Sequence, residues 1–499
     1  MKTPLSSLLL VAILVACQKP HYDTIIRGAI VIDGTGSPGQ VMDVAIKGDS
    51  IAATGDLTKA EADHFFDAKG LVLAPGFIDA HSHHDWGMEG MRDMPACLSQ
   101  GITTIVVGQD GSSHLPLRKF FAELDQQPVA VNVASYAGHN TIRDSAIVQS
   151  YARFSSPQEI QQMKEMLAEE MDAGALGLST GLEYDPGIYA HPDEVVELAK
   201  VASGYGGRYI SHIRSEDRYF WKAINEIIRI GREAKLPVQI SHGKLAMRSL
   251  WGKSAVLFAR LDSARTAGIE ITADVYPYTY WHSSMTVLFP GRNFKDRKEA
   301  ELALTEITTP EGVLMDHYSL DTTYGGKTLV EIARLRKADA PKTLMDLIAE
   351  VESKQGDASI IATSMQEEDI RAWMSWPHTV VGSDGSGVGR HPRGYGAFTK
   401  VLRQYVREEK VFTLEQAIHK MTAQTADQLN IPKRGRIAIG QYADLVLFDP
   451  AAVTDRSTTK KPQLRSAGID GVWVNGQLVW QDNKPTAAYA GRPLRHQIR

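Results

Sequence analysis

Eight short apolar runs, separated by stretches of helical periodicity, constrain the fold of this 499-residue chain more than any other feature. Buried strands that alternate with helices are typical of a parallel sheet covered by helices, and eight such units favour a closed barrel over an open sheet. We therefore predict an α/β protein with a (β/α)8 TIM-like barrel in residues 71–434. The runs lie at residues 71–80, 102–108, 129–135, 175–180, 208–213, 237–242, 269–275 and 378–384.

The intervals between these runs contain amphipathic helix patterns, of which Pro157 to Ala173 and Trp221 to Ala234 are examples. The interval between the seventh and eighth runs is far too long for one helix. We therefore predict a lid-like insertion over the barrel mouth at about residues 284–350.

Both ends of the chain differ from the middle. Residues 22–70 and 435–485 alternate apolar and polar side chains between turn signals, and Asn475-Gly476 is a typical hairpin turn. Because two strand-rich ends flank a helical middle, the simplest arrangement pairs them into one small β-sandwich domain.

The first residues predict export. Lys2 precedes the apolar stretch 8–16, which is the length of a signal sequence and too short for a spanning helix. Leu14-Val15-Ala16-Cys17 resembles the bacterial lipoprotein signal, so we expect residues 1–17 to act as a signal peptide with Cys17 as the lipidated residue. The protein would then be lipid-anchored in the bacterial cell envelope, at the outer membrane or periplasmic face. A plain cleaved signal with an incidental cysteine is the alternative.

Charge and apolar content indicate which classes of binding partner to expect. A net charge of -5 with interspersed signs contains no basic stripe, so nucleic acid is not an expected partner. Beyond the N-terminus no apolar run reaches the ~18 residues of a membrane helix, so we expect membrane contact only through the lipid anchor. Cys97 is the one cysteine besides Cys17, which excludes a disulfide framework. The sequence leaves the oligomeric state open.

Histidines and an aspartate occupy the ends of four of the predicted strands. His81 and His83 follow the first run, and side chains two apart in an extended strand point the same way. His212, His242 and Asp384 end three other runs, where barrel enzymes place their active sites. Imidazoles and carboxylates are zinc ligands, so we predict one or two Zn2+ ions. Solvated loop histidines are the alternative reading of the His81/His83 pair.

Asp110 stands at the end of the second predicted strand, in Gly108-Gln109-Asp110-Gly111. A second ion would need a bridging anion between the two histidine pairs, and we predict that Asp110 supplies it. An Asx turn before Gly111 is the alternative.

Residues 72–83, Val-Leu-Ala-Pro-Gly-Phe-Ile-Asp-Ala-His-Ser-His, resemble the opening motif of the amidohydrolase superfamily. The remainder is similar to the D-aminoacylase branch, the N-acyl-D-amino-acid deacylases, over about residues 22–480. The other matching motifs lie at residues 177–184, 211–217, 382–385, 391–393, 434–437 and 444–449.

The resemblance implies a role for each site residue. His81 and His83 would hold one metal, His212 and His242 a tighter one, and Asp384 would be the general acid/base as well as a ligand. The substrate carboxylate and carbonyl would be bound by Lys244, Tyr276 and Arg393; for the two cations, a solvated loop is the alternative. The chain departs from the family at Asp110, where characterised D-aminoacylases have a cysteine thiolate, and Cys97 lies too early to replace it.

The implied function is hydrolysis of N-acyl-D-amino acids, small molecules with a free carboxylate, to a carboxylate and a free D-amino acid. One alternative is a dipeptidase that releases a C-terminal D-residue from L-Xaa-D-Xaa, for which Glu183 or Glu216 would bind the free amine. Another is a non-catalytic envelope-binding lipoprotein. A cyclic-amide hydrolase is disfavoured because Ser179 and Thr180 stand where those relatives usually carry a bridging lysine.

Overall fold

The computed structural model describes residues 20–147 and 150–497. The predicted signal peptide at residues 1–17, with Cys17, lies outside these residues. Of the helices in the described part, none has the length and apolar character needed to cross a membrane.

The strands belong to a barrel, a β domain and an insertion. They are β1 (His21–Val31), β2 (Gln40–Lys47), β3 (Ser50–Gly55), β4 (Glu61–Asp67), β5 (Val72–Pro75), β6 (Phe77–Asp79), β7 (Ile102–Val107), β8 (Asn132–Ser135), β9 (Ala137–Gly138), β10 (Gly177–Gly181), β11 (Arg208–His212), β12 (Val238–Ile240), β13 (Ile271–Val275), β14 (Tyr280–Ser283), β15 (Val313–Tyr318), β16 (Ala358–Thr363), β17 (Thr379–Val381), β18 (Leu445–Phe448), β19 (Ile469–Val474), β20 (Gln477–Gln481) and β21 (Lys484–Pro485).

The α-helices lie mostly between the barrel strands. They are α1 (Pro95–Leu98), α2 (Leu117–Gln126), α3 (His139–Ala146), α4 (Pro157–Ala173), α5 (Pro192–Gly204), α6 (Phe220–Ala234), α7 (Ser254–Thr266), α8 (Arg297–Leu302), α9 (Leu329–Arg336), α10 (Ala340–Lys354), α11 (Glu367–Ser375), α12 (Arg393–Lys400), α13 (Leu414–Met421) and α14 (Ala423–Leu429). The π-helical segments Ala303–Ile307 and Val401–Glu408 continue α8 and α12.

Capping residues explain why the predicted bounds of one helix match the structure. The α4 helix has the predicted bounds because Ser156 and Glu159 form a capping box, Pro157 opens the first turn, and Gly174 ends the helix at φ 105°.

The barrel consists of parallel strands at the eight predicted positions. β6, β7 and β8 pair in order, and β9, β10, β11, β12, β13 and β17 form a second parallel set. Backbone bonds join the two sets: the Leu176 N–H donates to the Ser135 carbonyl at 2.9 Å, and the Ala80 N–H donates to the Val381 carbonyl at 3.4 Å. Ser82 also pairs in parallel with Gly385. These bonds close the ring, which confirms the predicted barrel.

Strands from both chain ends form one nine-stranded sheet, in the order β21-β20-β19-β18-β5-β1-β2-β3, with β4 also paired to β1. The first predicted run, residues 71–80, divides between two sheets: β5 pairs with β1 and β18, and β6 pairs with β7. The break is at Gly76, where an added Cβ would lie 2.2 Å from Thr103 Cγ2. Pattern alone assigned the whole run to the barrel because both halves are buried and apolar.

The insertion is longer than predicted. It begins with β14 and ends with β16, which form the three-stranded antiparallel sheet β14-β16-β15. Trp281, Val287 and Ile307 of this insertion line the pocket at the barrel mouth. The predicted bounds of 284–350 missed the flanking strands, since these are short and partly exposed.

Candidate metal centre

The structure brings the six predicted metal ligands together at the carboxyl ends of the barrel strands. In one group, His83 Nε2 lies 3.3 Å from Asp110 Oδ2 and 3.4 Å from Asp384 Oδ1. His81 Nε2 lies 3.4 Å from the same Asp110 oxygen and 3.7 Å from Asp384 Oδ1. Four ligand atoms from three strand ends therefore surround one point.

A second group shares Asp110 with the first. Asp110 Oδ1 lies 3.3 Å from His242 Nε2, and this nitrogen lies 3.0 Å from His212 Nδ1. One carboxylate oxygen thus faces each histidine pair. The Asx-turn alternative for Asp110 is not what the structure shows, because the turn is closed by the Ser112 N–H and the Gln109 carbonyl at 2.9 Å.

Three of these residues have left-handed backbone conformations. Asp110, His242 and Asp384 have φ of 54°, 35° and 49°, in the loops that follow their strands. Non-glycine residues rarely adopt this region, and each such residue costs on the order of 1–3 kcal/mol unless the surroundings enforce it. Strain at three converging positions is typical of a functional site.

The chemistry of the donors fits a divalent cation. Among the described residues, both ring nitrogens of His81 and Oδ1 of Asp110 are buried and meet their nearest charged partners at 3.3–3.4 Å without forming an aligned hydrogen bond. Burial opposes protonation of His83, but Asp110 and Asp384 outweigh it and raise its pKa to about 9. The two carboxylates therefore stabilise positive charge at this position. A bound cation would supply that charge in place of the imidazole protons.

Three carboxylates that sequence reasoning did not assign to the metal ligands face the other side of the imidazoles. Glu183 Oε2 lies 2.9 Å from His212 Nε2, and Glu216 Oε1 lies 3.0 Å from His242 Nδ1. Asp274 Oδ1 lies 3.4 Å from His81 Nδ1 and accepts the backbone N–H of His242 at 2.8 Å. Such partners fix which ring nitrogen is free to bind a metal.

Some signal for these residues was present in the sequence. Asp274 lies within the seventh apolar run, where a carboxylate is unexpected in a buried strand. Glu183 and Glu216 had been considered only as binders of a substrate amine. Their actual partners are set by side-chain geometry that strand spacing does not reveal.

The predicted substrate-binding cations are buried and already paired. Lys244 donates to both oxygens of Glu216, at 2.9 and 2.8 Å, and lies 2.7 Å from His242 Nδ1. The sequence placed Lys244 at the site mouth; the structure places it deeper, at 6% exposure. Arg393 Nη1 donates to Asp384 Oδ2 at 2.6 Å. Neither cation lies in a solvated loop.

Tyr276 lies between these cations. Its ring centroid is 5.8 Å from Lys244 Nζ and 4.9 Å from Arg393 Cζ, and within the described part of the chain its buried hydroxyl has no hydrogen-bond partner. Burial raises its pKa to about 12, so the phenol stays protonated.

Asp384 has the properties of a proton acceptor. Burial disfavours its charge, but Arg393 and His83 outweigh burial and hold its pKa well below the ordinary value. The carboxylate is therefore ionised at neutral pH, and it lines a pocket of about 480 Å³ that also reaches Lys244 and Arg393. A buried base, candidate metal ligands and cations at the base of one pocket suit hydrolysis of a carboxylate-bearing substrate.

Comparison with known proteins agrees with this geometry. The model of the amidohydrolase family matches residues 64–275 and 300–480. The chain belongs to this family.

Two of the proteins that the chain is similar to are named as a deacylase and an aminoacylase. It is 38% identical to the N-acyl-D-glutamate deacylase of Alcaligenes xylosoxydans xylosoxydans, over 96% of this chain and 97% of the relative. It is 35% identical to the D-aminoacylase of the same organism, over 95% of this chain and 97% of the relative.

A solved structure is similar throughout. The N-acyl-D-glutamate deacylase of Bordetella bronchiseptica, in complex with zinc and a phosphonate mimic of the tetrahedral intermediate, superposes with a TM-score of 0.86 at 34% identity. The match covers 95% of this chain and 100% of that chain. A D-aminoacylase with a binuclear metal centre matches with the same score, identity and coverage.

Proposed function

We propose that the protein is a zinc-dependent hydrolase that cleaves the amide of N-acyl-D-amino acids to a carboxylate and a free D-amino acid. The observation that carries the proposal is the convergence of the six predicted ligands at the base of one pocket. The names of relatives that align over nearly the whole chain support the substrate class.

His81, His83, Asp110 and Asp384 would hold one ion, and Asp110, His212 and His242 would hold another. Zinc bound there supplies Lewis acidity to the amide carbonyl and lowers the pKa of water toward neutrality.

Asp384 moves the proton. Its Oδ1 faces the histidines while Oδ2 is held by Arg393, so the carboxylate has a defined orientation and one charged partner on each side. Because it is ionised, it accepts the proton of the attacking water and returns it to the amine nitrogen as the C–N bond breaks.

Arg393 orients the substrate. Its guanidinium has five N–H donors, and one of them is bonded to Asp384. The remaining N–H groups can donate hydrogen bonds to the substrate carboxylate. Lys244, held by Glu216, adds positive charge on the neighbouring wall. The substrate is thereby fixed with its amide close to the Asp384 carboxylate.

The test uses zinc-loaded protein without residues 1–17. We expect hydrolysis of N-acetyl-D-amino acids and not of the L-enantiomers, with L-Xaa-D-Xaa dipeptides assayed in parallel. The Asp384→Asn variant should retain at least one zinc per chain by elemental analysis while kcat falls by ~10²–10⁴-fold. An active Asp384→Asn variant would remove the assigned base, and preference for dipeptides would favour the dipeptidase alternative.

We also propose that the enzyme is exported and anchored in the bacterial envelope through lipid on Cys17. The support is the signal-like sequence of residues 1–17. Metabolic labelling with a fatty acid should mark the full-length chain and not a Cys17→Ala variant; an unlabelled wild-type chain would contradict the anchor.

A further inference from the structure

The pocket wall above the candidate metal centre is rich in carboxylates. Besides the acidic residues already described at the metal centre, it contains acidic side chains on the loop after β10, the loop after β11 and the insertion. A carboxylate of a bound ligand that lay against this wall would lose its hydration among acidic groups. These residues are Asp185, Asp217 and Asp357, and Glu183 of the metal centre lines the same pocket.

The cations that line the pocket are already used within the proposed active site. In the described lining, the lysine and arginine side chains are Lys244 and Arg393, each bonded to a carboxylate. The proposed function, on which this inference rests, uses these cations for the substrate α-carboxylate. A side-chain carboxylate would therefore lack a free cation.

Arg292 is close to this wall but is tied into the structure. Its guanidinium donates to the Glu183 carbonyl at 2.6 Å, to Asp185 Oδ1 at 3.2 Å and to the Thr286 carbonyl at 2.9 Å. These bonds hold the insertion against the loop after β10.

The insertion presents an apolar surface to the pocket. Trp281, Val287, Ile307 and Ala358 all line it, and Trp281 and Ile307 are only 8% and 5% exposed. An apolar substrate side chain of the size of leucine or phenylalanine gains contact area there without losing a hydrogen bond.

We propose that this pocket selects N-acyl-D-amino acids with uncharged, apolar side chains and discriminates against D-aspartate and D-glutamate derivatives. The apolar side chain packs on the insertion, whereas an acidic one is desolvated near Glu183 and Asp217. The specificity therefore differs from that named for two relatives, the N-acyl-D-glutamate and N-acyl-D-aspartate deacylases.

The test compares kcat/KM of the zinc-loaded enzyme for N-acetyl derivatives of D-leucine, D-methionine, D-phenylalanine, D-aspartate, D-glutamate and D-lysine. We expect the best apolar derivative to exceed both acidic ones by about 100-fold or more. An acidic derivative within tenfold of it, or a lysine derivative ahead of it, overturns this inference and leaves the proposed function standing. Hydrolysis of none of the derivatives removes the proposed function, and this inference with it.

A lysine introduced into the pocket wall tests whether the missing free cation causes the discrimination against acidic side chains. Val287→Lys should raise kcat/KM for the D-glutamate derivative about tenfold or more and lower it for D-leucine, and Ser284→Lys, also in the lining, provides a second position. Val256→Lys, at a site 59% exposed and outside the pocket, is the matched control and should change neither value. An unchanged ratio in both folded pocket variants contradicts the electrostatic explanation. If acidic derivatives are hydrolysed and Arg292→Met abolishes this, Arg292 is the recognising cation and the inference is wrong.

Discussion

Glu216 connects the stability of the barrel to the affinity of the metal centre. It is 6% exposed, accepts two bonds from Lys244 at 2.9 and 2.8 Å, and lies 3.0 Å from His242 Nδ1. Glu216→Gln keeps the shape but removes the charge, which leaves the Lys244 ammonium buried without a counter-ion.

Removal of one partner of a buried ion pair costs ~3–5 kcal/mol of unfolding free energy. Loss of an outer carboxylate from a ligating histidine typically weakens metal binding by ~10–100-fold. We therefore expect Glu216→Gln to lose both stability and affinity at the group formed by Asp110, His212 and His242.

Two assays separate these effects. Urea unfolding of metal-free protein measures the loss of stability, and competition with a chromophoric chelator measures the zinc affinity. Glu226→Gln is the matched control, because Glu226 forms a comparable pair with Arg214 at 2.8 Å without contacting a predicted ligand. The control should lose stability but keep zinc affinity. A folded Glu216→Gln protein with the wild-type zinc affinity would refute the reasoning.

Other perturbations test separate parts of the structure. Asp110→Asn removes the charge shared by the two groups, so we expect at most one zinc per chain by elemental analysis; two tightly held ions would show that Asp110 does not bridge. Lys420 is buried against the carbonyls of Trp376 and Thr379, and burial lowers its pKa from 10.5 to about 8. Between pH 8 and pH 10.5 the unfolded chain therefore binds more protons than the folded chain. The unfolding free energy of the wild type should rise over this interval by on the order of 2–3 kcal/mol relative to that of Lys420→Met. Parallel stability curves from urea unfolding would contradict this.

The sequence predicted the barrel because each of its strands is a buried apolar run, and parallel strands buried on both faces carry that pattern regardless of their neighbours. It predicted the convergence of the candidate metal ligands for a related reason. His212 ends a strand and His242 and Asp384 closely follow theirs, so knowing the strand order is enough to bring the three side chains together.

Features that depend on side-chain direction or on strands of mixed burial were not predictable in this way. The hydrogen bond from Lys244 to Glu216 joins the loops after two different strands. Hydrophobic periodicity locates strands and helices but does not indicate such a contact between loops. The division of the first run at Gly76 follows from the proximity of Thr103, which is a tertiary contact. The strands of the insertion alternate weakly, so their pattern did not stand out from the helices beside them.

Anomalous diffraction at the zinc absorption edge, from crystals of zinc-loaded protein, shows directly whether these residues bind zinc. We expect a peak ~2.0–2.2 Å from the ligand atoms of His81, His83 and Asp384, and a second between His212 and His242 if two ions bind. The absence of a peak at both positions, in protein that hydrolyses N-acyl-D-amino acids, would contradict this expectation.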